Sequence, residues 1–175
     1  MPTAVQLIKA KEEDIPEIAR LANIVWHQHY PDIIGIDQIN YMLEMMYSIK
    51  SLNEQITVKG HSFYFIRQNN INIGFIGVSK IENCVDGYFI QKFYLDQTLA
   101  GKGSGTEAHH ALVKLLNPAQ MKLTVNRQNF KSINFYFKNG FKIESVANFD
   151  IGNGYVMNDF VMVYKQQFRT SPEVI

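Results

Sequence analysis

Apolar residues recur with two different spacings along the chain, and each change of spacing marks a change of predicted element. Over residues 15–26, and again over 39–47, they return every three or four positions. This spacing puts them on one face of a helix, so it predicts two amphipathic helices. A weakly alternating strand at 5–8 precedes the helices, and a short third helical piece at 50–57 follows them.

The beginning of the first helix carries a capping signal. Asp14 precedes the apolar run, Pro16 lies in the first turn, and Glu17 comes three residues after Asp14. This order predicts a capping box, in which the two carboxylates satisfy backbone N–H groups that have no partner inside the helix. Asp37 is the predicted start of the second helix.

The middle of the chain has the alternation that is typical of strands. Residues 61–67, 72–80 and 86–95 are rich in aromatic and β-branched side chains, which favour extended backbone. Polar residues at 68–70 and 82–83 separate these segments and suit hairpin turns. Because the connections are short, we expect an antiparallel meander.

The last part of the chain mixes both kinds of element. The predicted elements are a helix at 108–116, a strand at 121–125, a helix at 129–138, and strands at 141–149 and 155–164. The crossover from strand 89–95 through a helix to strand 121–125 makes those two strands parallel. The sequence therefore predicts an α+β fold, with a mostly antiparallel mixed sheet of about seven strands and one parallel pair.

The composition fits one globular domain. The chain has 175 residues, of which 46% are apolar and 19% charged, and this length is typical of a single domain. We expect the domain to cover residues 1–165 and a C-terminal tail to cover 166–175. Lys and Arg total 17 against 16 for Asp and Glu, so no overall positive charge favours a nucleic acid as partner.

Cysteine content and charge distribution bear on the cellular compartment. Cys84 is the single cysteine, which excludes an internal disulfide and a thiolate-rich metal site. The longest stretch without a charged residue, 68–79, is too short to cross a bilayer as a helix. The first residues lack the basic segment and apolar run of a secretory signal. We therefore expect a cytoplasmic protein without a metal or a membrane partner.

A glycine-rich segment between the third middle strand and the next helix is the most informative stretch. Gly101, Gly103 and Gly105 stand at every second position, and backbone N–H groups of such a loop can converge on an anion. The beginning of the following helix adds the positive end of its dipole. These features predict a phosphate site, and a glycine-rich turn without a ligand is the alternative interpretation.

Two familiar phosphate motifs do not fit this loop. A P-loop requires Gly, four residues and then Gly-Lys-Ser/Thr, but Asp96 stands where the first glycine belongs and Gly103 follows Lys102. A dinucleotide-binding loop requires the spacing G-x-G-x-x-G, whereas this chain has G-x-G-x-G. A different phosphate-binding loop is therefore indicated.

Two sequence blocks resemble the GNAT superfamily of N-acetyltransferases. Residues 100–105 (AGKGSG) are similar to its acetyl-CoA-binding motif, Arg/Gln-x-x-Gly-x-Gly/Ala, with Ala100 in place of Arg or Gln. Residues 123–141 are similar to its succession Leu-x-Val, Asn-x-x-Ala and Tyr-x-x-x-Gly-Phe, with Ser132 in place of Ala. Residues 151–162 also resemble bacterial members grouped with polyamine acetyltransferases.

This resemblance implies a three-layer α/β/α fold with a splayed parallel strand pair, and acetyl-CoA as co-substrate. Backbone groups of Phe93 and Leu95 would bond the pantetheine arm and the acetyl carbonyl, the loop would hold the pyrophosphate, and Asn129 would contact pantetheine. Lys102 or Lys138 would reach a phosphate, although either also suits a solvated surface. The implied cofactor-binding residues are Phe93, Leu95, Ala100, Gly101, Lys102, Gly103, Ser104, Gly105, Thr106, Asn129 and Lys138.

The resemblance also implies the acid in the reaction. Tyr136 falls on the general-acid position of the family, where it would protonate the leaving thiolate; the alternative interpretation is an aromatic residue of the core. The base is left open, because many family members carry a glutamate early in the strand before the loop, and residues 88–92 contain no carboxylate. The candidates are Asp86, Glu107, His109, His110 and Asp159.

Four aromatic residues are candidates to line a pocket for the acceptor, since aromatic faces attract ammonium groups. They are Trp26, Tyr30, Tyr41 and Tyr155, and each also suits simple packing. The leading hypothesis is direct acetyl transfer from acetyl-CoA, in a ternary complex, to a small primary amine, a polyamine or a protein amine. A homodimer is expected by analogy. The alternatives are a non-catalytic CoA-binding sensor and an unrelated α+β domain that binds a nucleotide.

Overall fold

The structure is a computed structural model, and it describes residues 4–166. Its helices are α1 (Ile15–His29), α2 (Pro31–Ile34), α3 (Ile36–Tyr47), α4 (Ile49–Thr57), α5 (Ser104–Leu116) and α6 (Phe130–Lys138). Its strands are β1 (Gln6–Lys9), β2 (Ser62–Gln68), β3 (Ile71–Lys80), β4 (Gly87–Leu95), β5 (Gln120–Asn126), β6 (Lys142–Gly152) and β7 (Tyr155–Lys165). Beyond residue 166, the predicted tail lies outside the described residues.

Seven strands form one mixed sheet in the order β1-β2-β3-β4-β5-β7-β6. The parallel register pairs residues 87–89 of β4 with 120–122 of β5, as the crossover through α5 requires. Antiparallel registers join β1 with β2, β2 with β3, β5 with β7, and β6 with β7. The predicted mixed sheet, mostly antiparallel with one parallel pair, is confirmed.

The described residues fall into two compact units, one of residues 4–79 with 90–111 and the other of 80–89 with 112–166. In the first unit, α1 packs against α3 and α4, and its apolar stripe buries Ile18, Leu21 and Val25 completely. Each such side chain contributes about 1.5–3 kcal/mol through burial. The predicted helical spacing therefore corresponds to a real core face.

The beginnings of two helices differ from the prediction. The Asp14 side chain does not cap α1; its Oδ2 accepts a hydrogen bond from the Lys11 N–H at 2.8 Å. The predicted capping box is therefore wrong, because a 3₁₀ turn at Glu12–Asp14 uses that carboxylate for its own first donor. The second helix is α3, which begins one residue before Asp37, directly after Gly35 in the left-handed region (φ 78°).

Gly74 allows β3 to approach β4 closely in the first unit. A Cβ atom at this position would lie 2.1 Å from the backbone oxygen of Tyr94, which is far inside any allowed contact. One residue earlier, the Ile73 carbonyl accepts a hydrogen bond from the Asp96 N–H at 2.8 Å. The absence of a side chain at Gly74 therefore permits the close approach of β3 to the end of β4.

The second unit has its own core around β5, β7 and α6. Leu123 and Met162 face each other across β5 and β7, and both are fully buried. After α6, Gly140 has a φ of 87°, the left-handed conformation in which many helices end. A Cβ atom at Gly140 would touch the Tyr164 ring at 3.4 Å.

The helices and the single cysteine of residues 4–166 bear on membrane insertion and on disulfide chemistry. Within that range no helix combines the length and the apolar character that crossing a bilayer requires. Cys84 carries a free thiol, and the side-chain amide of Gln120 donates to its sulfur at 3.2 Å. This contact ties the turn before β4 to the beginning of β5.

Candidate active site

The glycine-rich segment joins the end of β4 to the beginning of α5, and it is held by its own backbone. The Asp96 carbonyl accepts hydrogen bonds from the N–H groups of Leu99 (3.2 Å) and Ala100 (2.9 Å). The Ser104 N–H donates to the Gly101 carbonyl at 3.2 Å. Gly103 has a φ of 93°, a conformation that favours glycine. The loop therefore has a defined shape that depends on a glycine.

A group of backbone donors at this junction has no acceptor among residues 4–166. The N–H groups of Gly101, Lys102, Gly103, Gly105 and Thr106 form no hydrogen bond there. They lie in the loop and the first turn of α5, where the positive end of the helix dipole adds to their field. Such donors are the elements of a phosphate site, and the predicted contact of this loop with a diphosphate stays a prediction.

Polar side chains also lie in and around the loop. Ser104 is buried, and its hydroxyl donates to the side-chain oxygen of Gln68 at 3.2 Å. Lys102 is exposed, so its ammonium is free to meet a phosphate. Burial acts to raise the pKa of Asp96, but hydrogen bonds from Gln28 and Thr98 outweigh it and hold that pKa below its ordinary value. The loop therefore begins at a charged, buried carboxylate.

The remaining predicted cofactor residues differ in burial and in their hydrogen-bond partners. Phe93 and Leu95 are half-buried on the second half of β4, and the Leu95 carbonyl already pairs with a His29 ring nitrogen at 3.1 Å. In the second unit, Asn129 caps α6, since its side-chain oxygen accepts from the Ser132 N–H at 3.1 Å. Lys138 is exposed at the end of that helix. Their contacts with the cofactor stay predictions.

Tyr136 lies on the buried face of α6 in the second unit. It is 8% exposed, and its ring centroid lies 5.2 Å from that of Phe135 and 5.4 Å from that of Phe141. These edge-on contacts hold the ring in one orientation. The ring is therefore part of a core, as the alternative interpretation expected, and the role of its hydroxyl as general acid stays a prediction.

Two of the four predicted acceptor residues belong to one aromatic cluster in the first unit. Trp26 is 3% exposed, and its ring centroid lies 4.5 Å from that of Tyr30. The Tyr30 and Tyr94 hydroxyls are 3.4 Å apart. Tyr41 lies half-buried on α3, and Tyr155 begins β7 in the second unit. The structure therefore brings Trp26 and Tyr30 together.

Two further members of this cluster, Tyr47 and Tyr94, were not predicted from the sequence as functional residues. Their rings lie 5.6 Å and 6.0 Å from Trp26, measured between centroids. Burial raises the pKa of both hydroxyls well above the ordinary value, so they stay protonated and do not act as bases. The alternation along β4 was the sequence signal that could have identified Tyr94, because residues two apart on a strand lie on the same face and Tyr94 therefore shares its face with Lys92.

Lys92 is a buried lysine that was not predicted from the sequence as a functional residue. Its ammonium donates to the Gln55 side-chain oxygen at 2.6 Å and lies 5.2 Å and 5.6 Å from the ring centroids of Tyr47 and Phe63. Burial lowers the pKa of Lys92 to about 8, and the neighbouring Lys59 adds to the effect. This face of β4 therefore carries an amine, and no carboxylate.

Most candidates for the base have unsuitable surroundings. Glu107 is exposed, and its carboxylate accepts a hydrogen bond from the Val5 N–H at 3.2 Å. Burial lowers the pKa of His109 to about 4, and His110 beside it acts in the same direction. Asp86 is half-buried in a left-handed turn (φ 53°). Of these candidates only His109 is buried, and its lowered pKa makes it a weak base at neutral pH.

Asp159, on β7, is the buried carboxylate among the candidates for the base. It is 2% exposed, and its Oδ1 has no hydrogen-bond partner among residues 4–166. Burial raises the pKa of Asp159 to about 6, although a hydrogen bond from Thr124 and the charge of Arg127 act to lower it. A carboxylate with a pKa near neutrality accepts protons most effectively at physiological pH.

The described residues include no cluster of metal ligands. Within 4–166, no group of three or more His, Cys, Asp or Glu side chains is arranged to hold a metal ion. The adjacent rings of His109 and His110 lie 5.9 Å apart and are inclined by 57°.

The mixed sheet and the donor-rich loop together define the class of acyl-CoA-dependent acyltransferases. A model of the acetyltransferase (GNAT) family matches residues 18–141, and the chain belongs to that family. It is an acetyl-CoA-dependent N-acetyltransferase, with acetyl-CoA as its co-substrate. The resemblance found in the sequence is therefore confirmed.

Similar proteins include enzymes that act on polyamines. A spermidine N(1)-acetyltransferase from Thermoplasma acidophilum is 26% identical over 155 residues, which cover 84% of this chain and 94% of the relative. The structure of the PaiA N-acetyltransferase from the same organism, in complex with coenzyme A, superposes with a TM-score of 0.75 at 24% identity and covers 94% of this chain and all of the other. The structure of a SpeG spermidine N-acetyltransferase chimera from Vibrio cholerae and hSSAT superposes with a TM-score of 0.63 at 16% identity. The match covers 93% of this chain and 96% of the chimera.

Proposed function

We propose that this chain transfers the acetyl group of acetyl-CoA directly to a primary amine, in a ternary complex, with polyamines as the first candidate class. The observation that carries the proposal is the group of backbone donors at Gly101, Lys102, Gly103, Gly105 and Thr106, which have no acceptor among residues 4–166. Family membership supplies the reaction. The polyamine class is supported by the relative named a spermidine N(1)-acetyltransferase.

The residues of this chain divide the work of the reaction. Acetyl-CoA supplies a thioester carbonyl that is activated for attack. The loop donors bind its diphosphate, and a backbone N–H near Phe93 or Leu95 stabilises the negative charge that develops on the carbonyl oxygen. The amine nitrogen forms a bond to the carbonyl carbon, and the carbon–sulfur bond breaks. Tyr136 gives its proton to the sulfur, and Asp159 takes a proton from the nitrogen.

The aromatic cluster of the first unit supports an ammonium-bearing acceptor. Aromatic faces attract cations by about 0.5–2 kcal/mol each, and Trp26 and Tyr30 lie in direct ring contact. The cluster also carries the paired hydroxyls of Tyr30 and Tyr94, which can accept hydrogen bonds from an amine. With Tyr41 and Tyr155, these residues are the proposed contacts of the acceptor.

The reaction is tested by measuring thiol release from acetyl-CoA across a panel of amines. We expect turnover with spermidine and spermine, weaker turnover with short monoamines, and N-acetylated products by mass spectrometry. CoA binding without turnover on any amine would contradict the proposal and favour the sensor. Calorimetry separates the third hypothesis, since tight binding of ATP without binding of CoA would indicate a nucleotide domain.

The Gly101→Ala variant tests the loop without disturbing the fold. A Cβ at Gly101 would meet only the Ser104 hydroxyl, at 3.6 Å, so the methyl group fits the free protein. It also occupies the space through which a phosphate reaches the backbone donors, so we expect the Kd for CoA to rise about tenfold. The melting temperature should stay unchanged. An unchanged Kd would show that the diphosphate binds elsewhere.

Two further expectations belong to the same proposal. We place the protein in the cytoplasm, where its co-substrate acetyl-CoA is available. We also retain the homodimer, which rests on analogy with other members of the family. Mass determination in solution tests the dimer directly.

A further inference from the structure

Side chains in the last turn of α1 form hydrogen bonds with the end of β4 and with the segment that follows it. All of these residues lie in the first unit. The Gln28 side-chain amide donates from Nε2 to Asp96 Oδ1 at 2.9 Å. Its Oε1 accepts from the Gln97 N–H, also at 2.9 Å. One side chain therefore bonds two successive residues of the segment that leads into the glycine loop.

His29 adds a second pair of contacts to the same segment. Its Nε2 lies 3.1 Å from the Leu95 carbonyl, and its Nδ1 lies 3.0 Å from the Gln97 side-chain amide. A carbonyl only accepts, so Nε2 carries the proton and Nδ1 accepts from the amide. Both ring nitrogens of His29 therefore have partners in this segment.

Asp96 connects these hydrogen bonds of α1 with the beginning of the loop. Besides Gln28, its Oδ1 accepts from the Thr98 N–H at 2.8 Å and from the Thr98 hydroxyl at 2.7 Å. Its backbone carbonyl holds the N–H groups of Leu99 and Ala100, directly before the donors proposed to bind the diphosphate. A displaced Asp96 would therefore displace the beginning of the loop.

Gln28 and His29 lie on a helix end that is packed into the core. Trp26, in the last turn of α1, and Tyr30, directly after the helix, pack into the aromatic cluster through ring contacts with each other and with Tyr94. A side chain on a packed helix holds its partner more accurately than one on a free loop. The helix end therefore acts as a fixed reference for the loop.

We propose that Gln28 and His29 are positioning residues that hold segment 95–98 in the conformation that binds acetyl-CoA. This inference rests on the proposed function, because it assumes that the glycine loop binds the cofactor. Neither side chain takes part in bond making, so their loss should weaken cofactor binding much more than it slows the chemical step.

The Gln28→Met variant removes both amide hydrogen bonds while nearly keeping the side-chain volume. We expect the KM for acetyl-CoA and the Kd for CoA to rise about tenfold, with kcat within about twofold of the wild type. The control is His27→Ala. His27 is exposed and bonds only the Asn23 carbonyl of its own helix, at 2.7 Å, so both constants should stay unchanged.

A charge test separates positioning from general destabilisation. Gln28→Glu puts a second carboxylate against Asp96, so the Kd for CoA should rise more than tenfold. Adding Asp96→Asn removes the repulsion, and the double variant should bind CoA at least threefold more tightly than Gln28→Glu alone. Ordinary destabilisation predicts the opposite, since a second substitution in a merely structural site weakens binding further.

The outcomes are distinguishable from those of the proposed function. If the wild-type protein does not bind CoA in calorimetry, the proposed function and this inference both fail. If the wild type binds CoA and Gln28→Met binds it equally well, only the inference fails. A double variant that binds more weakly than Gln28→Glu would also overturn it. Melting temperatures of all variants show which of them are folded at the assay temperature.

Discussion

Replacing Tyr136 by phenylalanine is expected to lower the rate of the chemical step by about 10²–10⁴-fold. The substitution removes only the hydroxyl, so the departing thiolate loses its proton donor while the ring keeps its packing against Phe135 and Phe141. The KM for acetyl-CoA should change little, because the phenol acts late in the reaction. Single-turnover quench measurements would isolate the chemical step from product release.

Tyr164→Phe is the matched control for this variant. The Tyr164 ring packs on Phe141 at 5.5 Å, in the same cluster as Tyr136, but nothing assigns it a part in the reaction. We expect normal turnover and a comparable melting temperature for the control. An unchanged single-turnover rate in Tyr136→Phe would remove the hydroxyl from the mechanism and leave Tyr136 as a core residue.

Replacing Asp159 by asparagine is expected to stabilise the protein at neutral pH. Burial raises the pKa of Asp159 from 3.8 to about 6, so the folded state binds this proton more tightly than the unfolded state does. Stability from this group is present below pH 4 and is lost as the pH rises through 6. The penalty above pH 6 is about 2–3 kcal/mol, and an uncharged amide avoids it.

The activity of the same variant should move in the opposite direction. If Asp159 is the base, kcat/KM falls about 10²–10⁴-fold and loses its decline on the acidic side. Asp150→Asn is the control, because Asp150 is exposed on β6 and its Oδ1 serves only the local Gly152 N–H, at 2.8 Å. Denaturant unfolding between pH 4 and 8 gives the stability difference. A stabilised Asp159→Asn variant with full activity would show that the buried carboxylate has no catalytic part.

The general architecture was predictable from local patterns. Helical and alternating spacing indicated most elements to within a few residues, because each periodicity follows directly from the geometry of one element. The crossover from β4 to β5 gave the parallel pair, which the register of residues 87–89 with 120–122 confirms. The spacing of Gly101, Gly103 and Gly105 indicated the loop. The capping of α1 was mispredicted, because a turn just before the helix competed for the Asp14 carboxylate.

The sequence by itself determined the order of elements, the acetyltransferase family and the place of the glycine-rich loop, since all three are encoded in neighbouring residues. Only the tertiary structure decided that Lys92 is buried against Gln55 and two aromatic rings. It alone showed that Asp159 is a desolvated carboxylate, and that Gln28 reaches a segment 68 residues away. Burial and long-range hydrogen bonds arise when distant segments pack together, so no local pattern announces them.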